Sequence, residues 1–237
     1  MKKLISLICV LAMVLALAAC GSSAPAAATE APAASTEAPA EDVSADKTFV
    51  VGICQLVQHP ALDAATQGFK DALTEALGDK VTFQEQNASG DSATCSLICN
   101  QFVSDEVDLI MANATASIQA AASATNTIPI LGTSITDYGV ALGVDNWTGV
   151  SGTNISGTSD LAPLDGQAAV LKELCPDAKV VGILYCSGEP NSKFQADTIT
   201  PMFEELGLEV KEFTFADSND VANVTATACS ECDVLYI

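Results

Sequence analysis

From residue 49 onward the sequence alternates short unbroken apolar runs with segments in which apolar residues recur every three or four positions. This alternation leaves few architectures open. The runs at 49–54, 107–112, 128–131, 180–185 and 234–237 read as strands buried on both faces, the pattern of a parallel sheet in an α/β fold. Between the first two, Leu62, Ala65, Phe69, Leu73 and Leu77 fall on one stripe of a helix that faces such a sheet. Further helices are predicted over 92–104, 116–124, 164–174, 192–206 and 219–229, each flanked by Gly, Asp, Asn or Ser.

The same unit is written twice. Val50, Val51, Gly52 and Ile53 recur as Val180, Val181, Gly182 and Ile183, and His59-Pro60 recurs as Glu189-Pro190. Asp91 and Asp220 each open a helix, and Asp108-Leu109-Ile110 corresponds to Asp233-Val234-Leu235. Valine-rich strands resemble one another by chance, but the shared X-Pro step after the first strand favours pseudo-repeats, hence two similar Rossmann-like lobes. Two lobes bring two sets of strand-end loops toward a common cleft, where ligands of open α/β sheets bind.

Ahead of this region lie Lys2 and Lys3, an apolar run to Ala16, and Leu17-Ala18-Ala19-Cys20-Gly21. That order is a secretory signal too short for a comfortable membrane span, and small residues before a cysteine resemble the bacterial lipobox, in which the cysteine is lipidated. The following residues to Asp46, rich in Ala, Pro, Ser, Thr and Glu, are predicted to be a disordered spacer. The expected organisation is a lipoprotein signal peptide at 1–19, anchor and spacer at 20–46, a first lobe at 47–157, and a crossover with a partial second lobe at 158–237. The sequence stops inside what reads as a buried strand, which predicts a truncated chain with an incomplete second lobe.

Charge narrows the function. The formal net charge is −21, and all 9 cations are lysines. Without arginine, neither phosphate tracking nor bidentate base readout has its residues, so a nucleic-acid partner is excluded. No GxGxxG, P-loop or GxSxG motif occurs, and His59 is the only histidine, so sites of two or more histidines are ruled out and neither metal nor cofactor is implied. The chain is expected to bind, not to catalyse. His59 itself fits a loop-shaping or ligand-contacting role better than general-base catalysis. The cysteines at 54, 95, 99, 175, 186, 229 and 232 read mostly as small core hydrophobes. Such free thiols in an exported protein suggest an anaerobic, weakly oxidising habitat.

Polar residues at predicted strand ends are the better lead. Thr115 and Ser117 follow one strand, and Thr133, Ser134 and Asp137 follow the next; their hydroxyls and adjacent helix N–H groups could hold a carboxylate, or simply cap helices. Asp137, Asp160 and Glu189 offer negative charge for an ammonium group, unless they are merely solvated.

The stretch from Val51 to Asp63, with Gln55, His59, Pro60 and Asp63, then Gly68-Phe69, Asn113-Ala114-Thr115, Gly157 to Asp160, and Glu189-Pro190-Asn191-Ser192, resembles the substrate-binding lipoproteins of ABC importers in the tryptophan/tyrosine-transport-like family. The resemblance covers 47–237. It implies a type I periplasmic-binding-protein fold, a small ligand that is often an aromatic amino acid, and ABC permease subunits as partners; the polar strand ends and these motifs together make Gln55, His59, Asp63, Thr115, Ser117, Thr133, Ser134, Asp137, Asp160, Glu189 and Asn191 the expected ligand contacts. With Cys20 as the anchor, the expected location is the extracytoplasmic face of the cell membrane of a bacterium, Gram-positive and anaerobic. A receptor or sensor lipoprotein, a sugar- or nucleoside-binding protein of the same fold, and a thiol or metal-binding module are the competing readings.

Overall fold

The computed structural model describes residues 47–237. The signal, Cys20 and the spacer lie outside the described residues. The first half builds β1 (Phe49–Gln55), α1 (Pro60–Leu77), β2 (Val81–Asn87), α2 (Ser92–Ser104), β3 (Leu109–Asn113), α3 (Thr115–Ala124), β4 (Ile130–Ile135), α4 (Tyr138–Leu142) and β5 (Ile155–Ser159). These strands form one parallel sheet in the order β2-β1-β3-β4-β5. After α5 (Leu164–Leu174) come β6 (Val180–Cys186), α6 (Pro190–Glu205), β7 (Glu209–Phe215), α7 (Val221–Glu231) and β8 (Val234–Tyr236). They form a second parallel sheet, β7-β6-β8.

Both faces of the first sheet are covered. On one, Phe69, Leu73 and Leu77 of α1 pack on Val51, Ile53 and Met111, so the predicted stripe does face the sheet. On the other, Ile98 and Phe102 of α2 join Cys54, Ile110 and Ile118, with Cys95 and Cys99 fully enclosed among them. A separate core in the second half gathers Val181, Ile183, Ile199 and Phe203.

The sequence repeat has a structural counterpart. Strand β6 lies between β7 and β8 as β1 lies between β2 and β3. Asp108 Oδ2 accepts from the Val50 N–H at 2.9 Å, and Asp233 Oδ2 accepts from the Val180 N–H at 2.9 Å and that of Lys179 at 2.8 Å. A carboxylate just before the third strand thus ties the start of the first strand in both halves. The Lys47 ammonium and then the Val50 N–H hold the Asp108 carboxyl below the usual range; the two N–H donors do so for Asp233. Because both folded values lie below the unfolded one, the stability they contribute is complete above about pH 3.9 and is lost as pH falls through the folded values. An Asp108→Asn/Asp233→Asn variant is therefore expected to show a flatter dependence of the urea midpoint on pH below about 4 than the parent chain.

Three strands, β2, β5 and β7, fall outside the predicted apolar runs, as does the short α4. Asp220 differs from Asp91: the Asp91 carboxylate accepts from Ala93 N–H at 2.8 Å and caps α2, whereas Asp220 precedes α7 without a side-chain cap bond. Beside Cys175, Leu171 is buried but Leu174 is 76% exposed, so that thiol sits at the margin of the core. Strand β5 continues through Ser159, so the first sheet extends two residues beyond the boundary expected at 157.

Candidate functional site

In the first sheet the strand order reverses at β1: β2 lies to one side and β3 to the other, so the crevice of an open α/β sheet opens between the carboxyl ends of β1 and β3. Gln55 and Asn113 are register partners at that point. Both are buried, as is Thr66 on α1. The Thr66 hydroxyl donates to Gln55 Oε1 at 2.7 Å, and Asn113 Nδ2 donates to Thr66 Oγ1 at 3.0 Å and to the Leu62 carbonyl at 2.9 Å. Gln55 Nε2 donates to the Val57 carbonyl at 2.9 Å and to Asp63 Oδ1 at 2.6 Å. A cavity of about 730 Å³ opens beside this group, lined by Gln55, Asp63, Thr66, Glu85, Asn87 and Ser89.

The next strand ends are strained in a consistent way. Ala114 has φ +89° at the N-cap of α3, and Ser134 has φ +57° where β4 shifts register against β5. Such angles are uncommon for non-glycine residues, and strained positions of this kind recur at ligand sites. With alanine at the cap, no side chain satisfies the first-turn N–H groups of α3.

The predicted contacts divide accordingly. Gln55, Asp63, Thr115, Thr133 and Ser134 gather at the carboxyl ends of β1, β3 and β4, where Thr115 is buried and Thr133 and Ser134 are half-buried. The Gln55 amide is engaged by its neighbours on every side. Ser117 turns inward: fully buried, its Oγ lies 3.6 Å from Cys54 Sγ and 3.7 Å from Cys95 Sγ, away from the crevice. The neighbouring Cys54 thiol, and then burial, push the Cys95 thiol up, which keeps it protonated. His59 is exposed and caps α1, its Nδ1 accepting from Ala61 N–H at 3.2 Å. Asp137 caps α4 through Val140 N–H at 2.8 Å, the helix-capping alternative for that residue. Asp160 is exposed and its N–H donates to the Ile135 carbonyl at 3.0 Å. Glu189 and Asn191 stand in the second half, at the start of α6, where Glu189 Oε2 accepts from the Ser192 hydroxyl at 2.9 Å. Thr66 and Asn113 escaped the sequence reading as contacts. Asn113 stands in the sequence as part of a strand-end motif, and Thr66 lies in a helix whose visible signal is its apolar stripe, so neither is marked locally as a contact.

Among the described residues, no group of three or more His, Cys, Asp or Glu is disposed to hold a metal ion, and no helix is long and apolar enough to cross a membrane.

Two parallel α/β units with polar strand ends make a type I periplasmic-binding-protein-like fold, and in shape the chain is similar to the leucine-binding protein of Thermotoga maritima, with TM-score 0.61 and 17% identity over 80% of this chain and 55% of that one. Residues 50–237 match the family described as ABC transporter substrate binding protein, and the chain belongs to that family. A tyrosine-binding protein from Clostridioides difficile is 40% identical over 190 residues, 79% of this chain and 55% of the relative. An ABC domain from Streptococcus pneumonia, solved in complex with L-Trp, aligns with TM-score 0.75 and 32% identity over 81% of this chain and 66% of that one. The chain thus spans little more than half the length of the curated relative it matches.

Proposed function

We propose that this chain is the capturing component of an importer: it takes an amino acid with an aromatic side chain at the carboxyl ends of its strands, between two lobes, and presents it to an ABC permease. The observation that carries this reading is the polar floor at the switch point, Gln55, Thr66 and Asn113, set on an apolar parallel sheet and flanked by uncapped helix N–H groups at α3. In a chain without arginine, hydroxyls and helix termini are the groups left to receive a carboxylate. The relatives described by tyrosine and by L-Trp support an aromatic amino acid as the ligand. Binding, not chemistry, is the function, and capture closes the lobes about the crossover near Asp160.

The test is a thermal-shift comparison with L-tryptophan, L-tyrosine, L-leucine, ribose and uridine. At a hundredfold excess over Kd the right ligand raises the midpoint by roughly 5–10 °C. A shift with ribose or uridine and none with any amino acid would overturn the reading.

The N-terminal residues complete the proposal. Residues 1–19 direct export, Cys20 carries the lipid, and the spacer to 46 gives reach at the outer face of the membrane of a Gram-positive anaerobe. A diacylglyceryl group has two acyl chains, enough for lasting attachment. Cys20→Ala is expected to move the protein from the membrane fraction to the medium; retention in the membrane would refute the anchor.

A further inference from the structure

The buried polar group at the switch point ties three elements through one hydroxyl. Thr66 on α1 donates to Gln55 at the end of β1 and accepts from Asn113 at the end of β3. Gln55 in turn holds the Val57 carbonyl and Asp63, so the residues between β1 and α1 hang from its amide. The backbone repeats the arrangement: Leu56 N–H donates to the Asn113 carbonyl at 3.2 Å, Ala88 N–H to the Gln55 carbonyl at 2.9 Å, and Gly90 N–H to the Leu56 carbonyl at 2.8 Å. One feature of the cluster works against stability. Asn113 Oδ1 is the single buried side-chain polar atom among the described residues without a hydrogen-bond partner. Apolar residues would fill this end of the sheet without an unpaired acceptor, so packing alone does not explain a polar triad here.

We propose that Thr66 and Asn113 are positioning residues: through Gln55 they hold the β1–α1 loop, 56–59, preformed at the mouth of the binding crevice. The proposal rests on the capture function above for its consequence, and on the hydrogen bonds alone for its mechanism. Thr66 is the joint, because among the described residues its hydroxyl is the side-chain group that bonds both amides. A loop fixed before the ligand arrives loses no freedom on binding, which preserves affinity.

The experiment compares Thr66→Val and Thr66→Ser in the full chain. Valine keeps the shape and removes the hydroxyl. In Thr66→Val, hydrogen exchange at the Leu56, Ala88 and Gly90 amides is expected to accelerate by roughly tenfold while the Ile53 and Ile110 amides keep their protection, and the Kd for L-tryptophan or L-tyrosine to rise by roughly tenfold, the scale of one buried hydrogen bond. Thr66→Ser is expected to restore both. Unchanged exchange at the three amides, acceleration spread equally through β1 and β3, or unchanged affinity in a chain that binds would each overturn the assignment. Should the parent chain bind neither amino acid, the capture reading fails, and local acceleration in Thr66→Val with recovery in Thr66→Ser still decides whether the hydroxyl holds the loop.

Discussion

Gly157→Ala should detach β5 from the first sheet. A Cβ built at Gly157 falls 2.2 Å from the Gly132 carbonyl oxygen, 2.7 Å from its nitrogen and 2.1 Å from the Tyr138 hydroxyl. Two of these neighbours are backbone of the paired strand, so no side-chain rotation relieves the clash. Gly132 and Gly157 are register partners, and the Tyr138 hydroxyl donates to the Gly132 carbonyl at 3.0 Å and approaches that of Thr158 at 3.3 Å, filling the room both missing side chains leave. Burial and then the Asp160 charge push the Tyr138 hydroxyl up to about 12, so it stays a donor throughout the physiological range. Ordinary overpacking costs roughly 1–3 kcal/mol; a clash with backbone in an edge strand is expected to exceed the upper end, about 3 kcal/mol or more by urea denaturation. Gly68→Ala is the contrast. It lies mid-helix in α1 with nothing within 4 Å of the added carbon, and alanine there should raise stability by about 0.5–1 kcal/mol.

What was legible in the sequence follows from how much of each element is enclosed. Strands β1, β3, β4 and β6 are flanked on both sides and mostly buried, so their residues form the unbroken apolar runs a parallel sheet requires. The three strands that escaped are sheet edges with polar residues, whereas the remaining edge, β8, is legible because its residues are all apolar or aromatic. β2 (Val81–Asn87) and β7 (Glu209–Phe215) carry Gln and Glu or Lys and Glu at solvent-facing positions, and only the first residue of β5 is buried. At the site, the strand-end location of Gln55 and Thr115 could be read from where apolar runs stop. The direction in which a side chain turns could not. Ser117 and Thr115 are two residues apart at the start of α3, yet Ser117 is drawn between the thiols of Cys54 on β1 and Cys95 on α2, 63 and 22 residues away in sequence. Likewise, nothing local marks Thr66 as the partner of Asn113, 47 residues on. The pseudo-repeat is the stronger guide, because Asp108 and Asp233 each stand directly before the third strand of their half and make equivalent long-range ties to the first, an equivalence that the motif order shows although the spacing differs.

Phe102→Ala is the second large effect, and it probes whether the two halves stand or fall together. Phe102 is fully buried on α2 and its ring lies directly on Gly52, where a Cβ would approach ring carbons at 2.7 Å. Truncating a buried phenylalanine costs about 3–5 kcal/mol, a large part of the roughly 5–15 kcal/mol that holds a domain folded. Calorimetry should show the midpoint of the transition containing the first sheet falling by roughly 10 °C. Leu97→Ala on the same helix, at a position 70% exposed, should stay within about 0.5 kcal/mol of the parent. Phe203, also fully buried, holds the second core in edge contact with Tyr236 at 5.6 Å. If the sheets unfold as one cooperative unit, Phe102→Ala and Phe203→Ala shift a single transition; if each core melts alone, each substitution moves its own. Gly52 supplies the internal control. Gly52→Ala should destabilise the parent by about 1–3 kcal/mol through the ring clash, and much less in a Phe102→Ala background where the ring is gone. Additive losses in the double variant would mean that the Gly52–Phe102 contact does not set the spacing between β1 and α2.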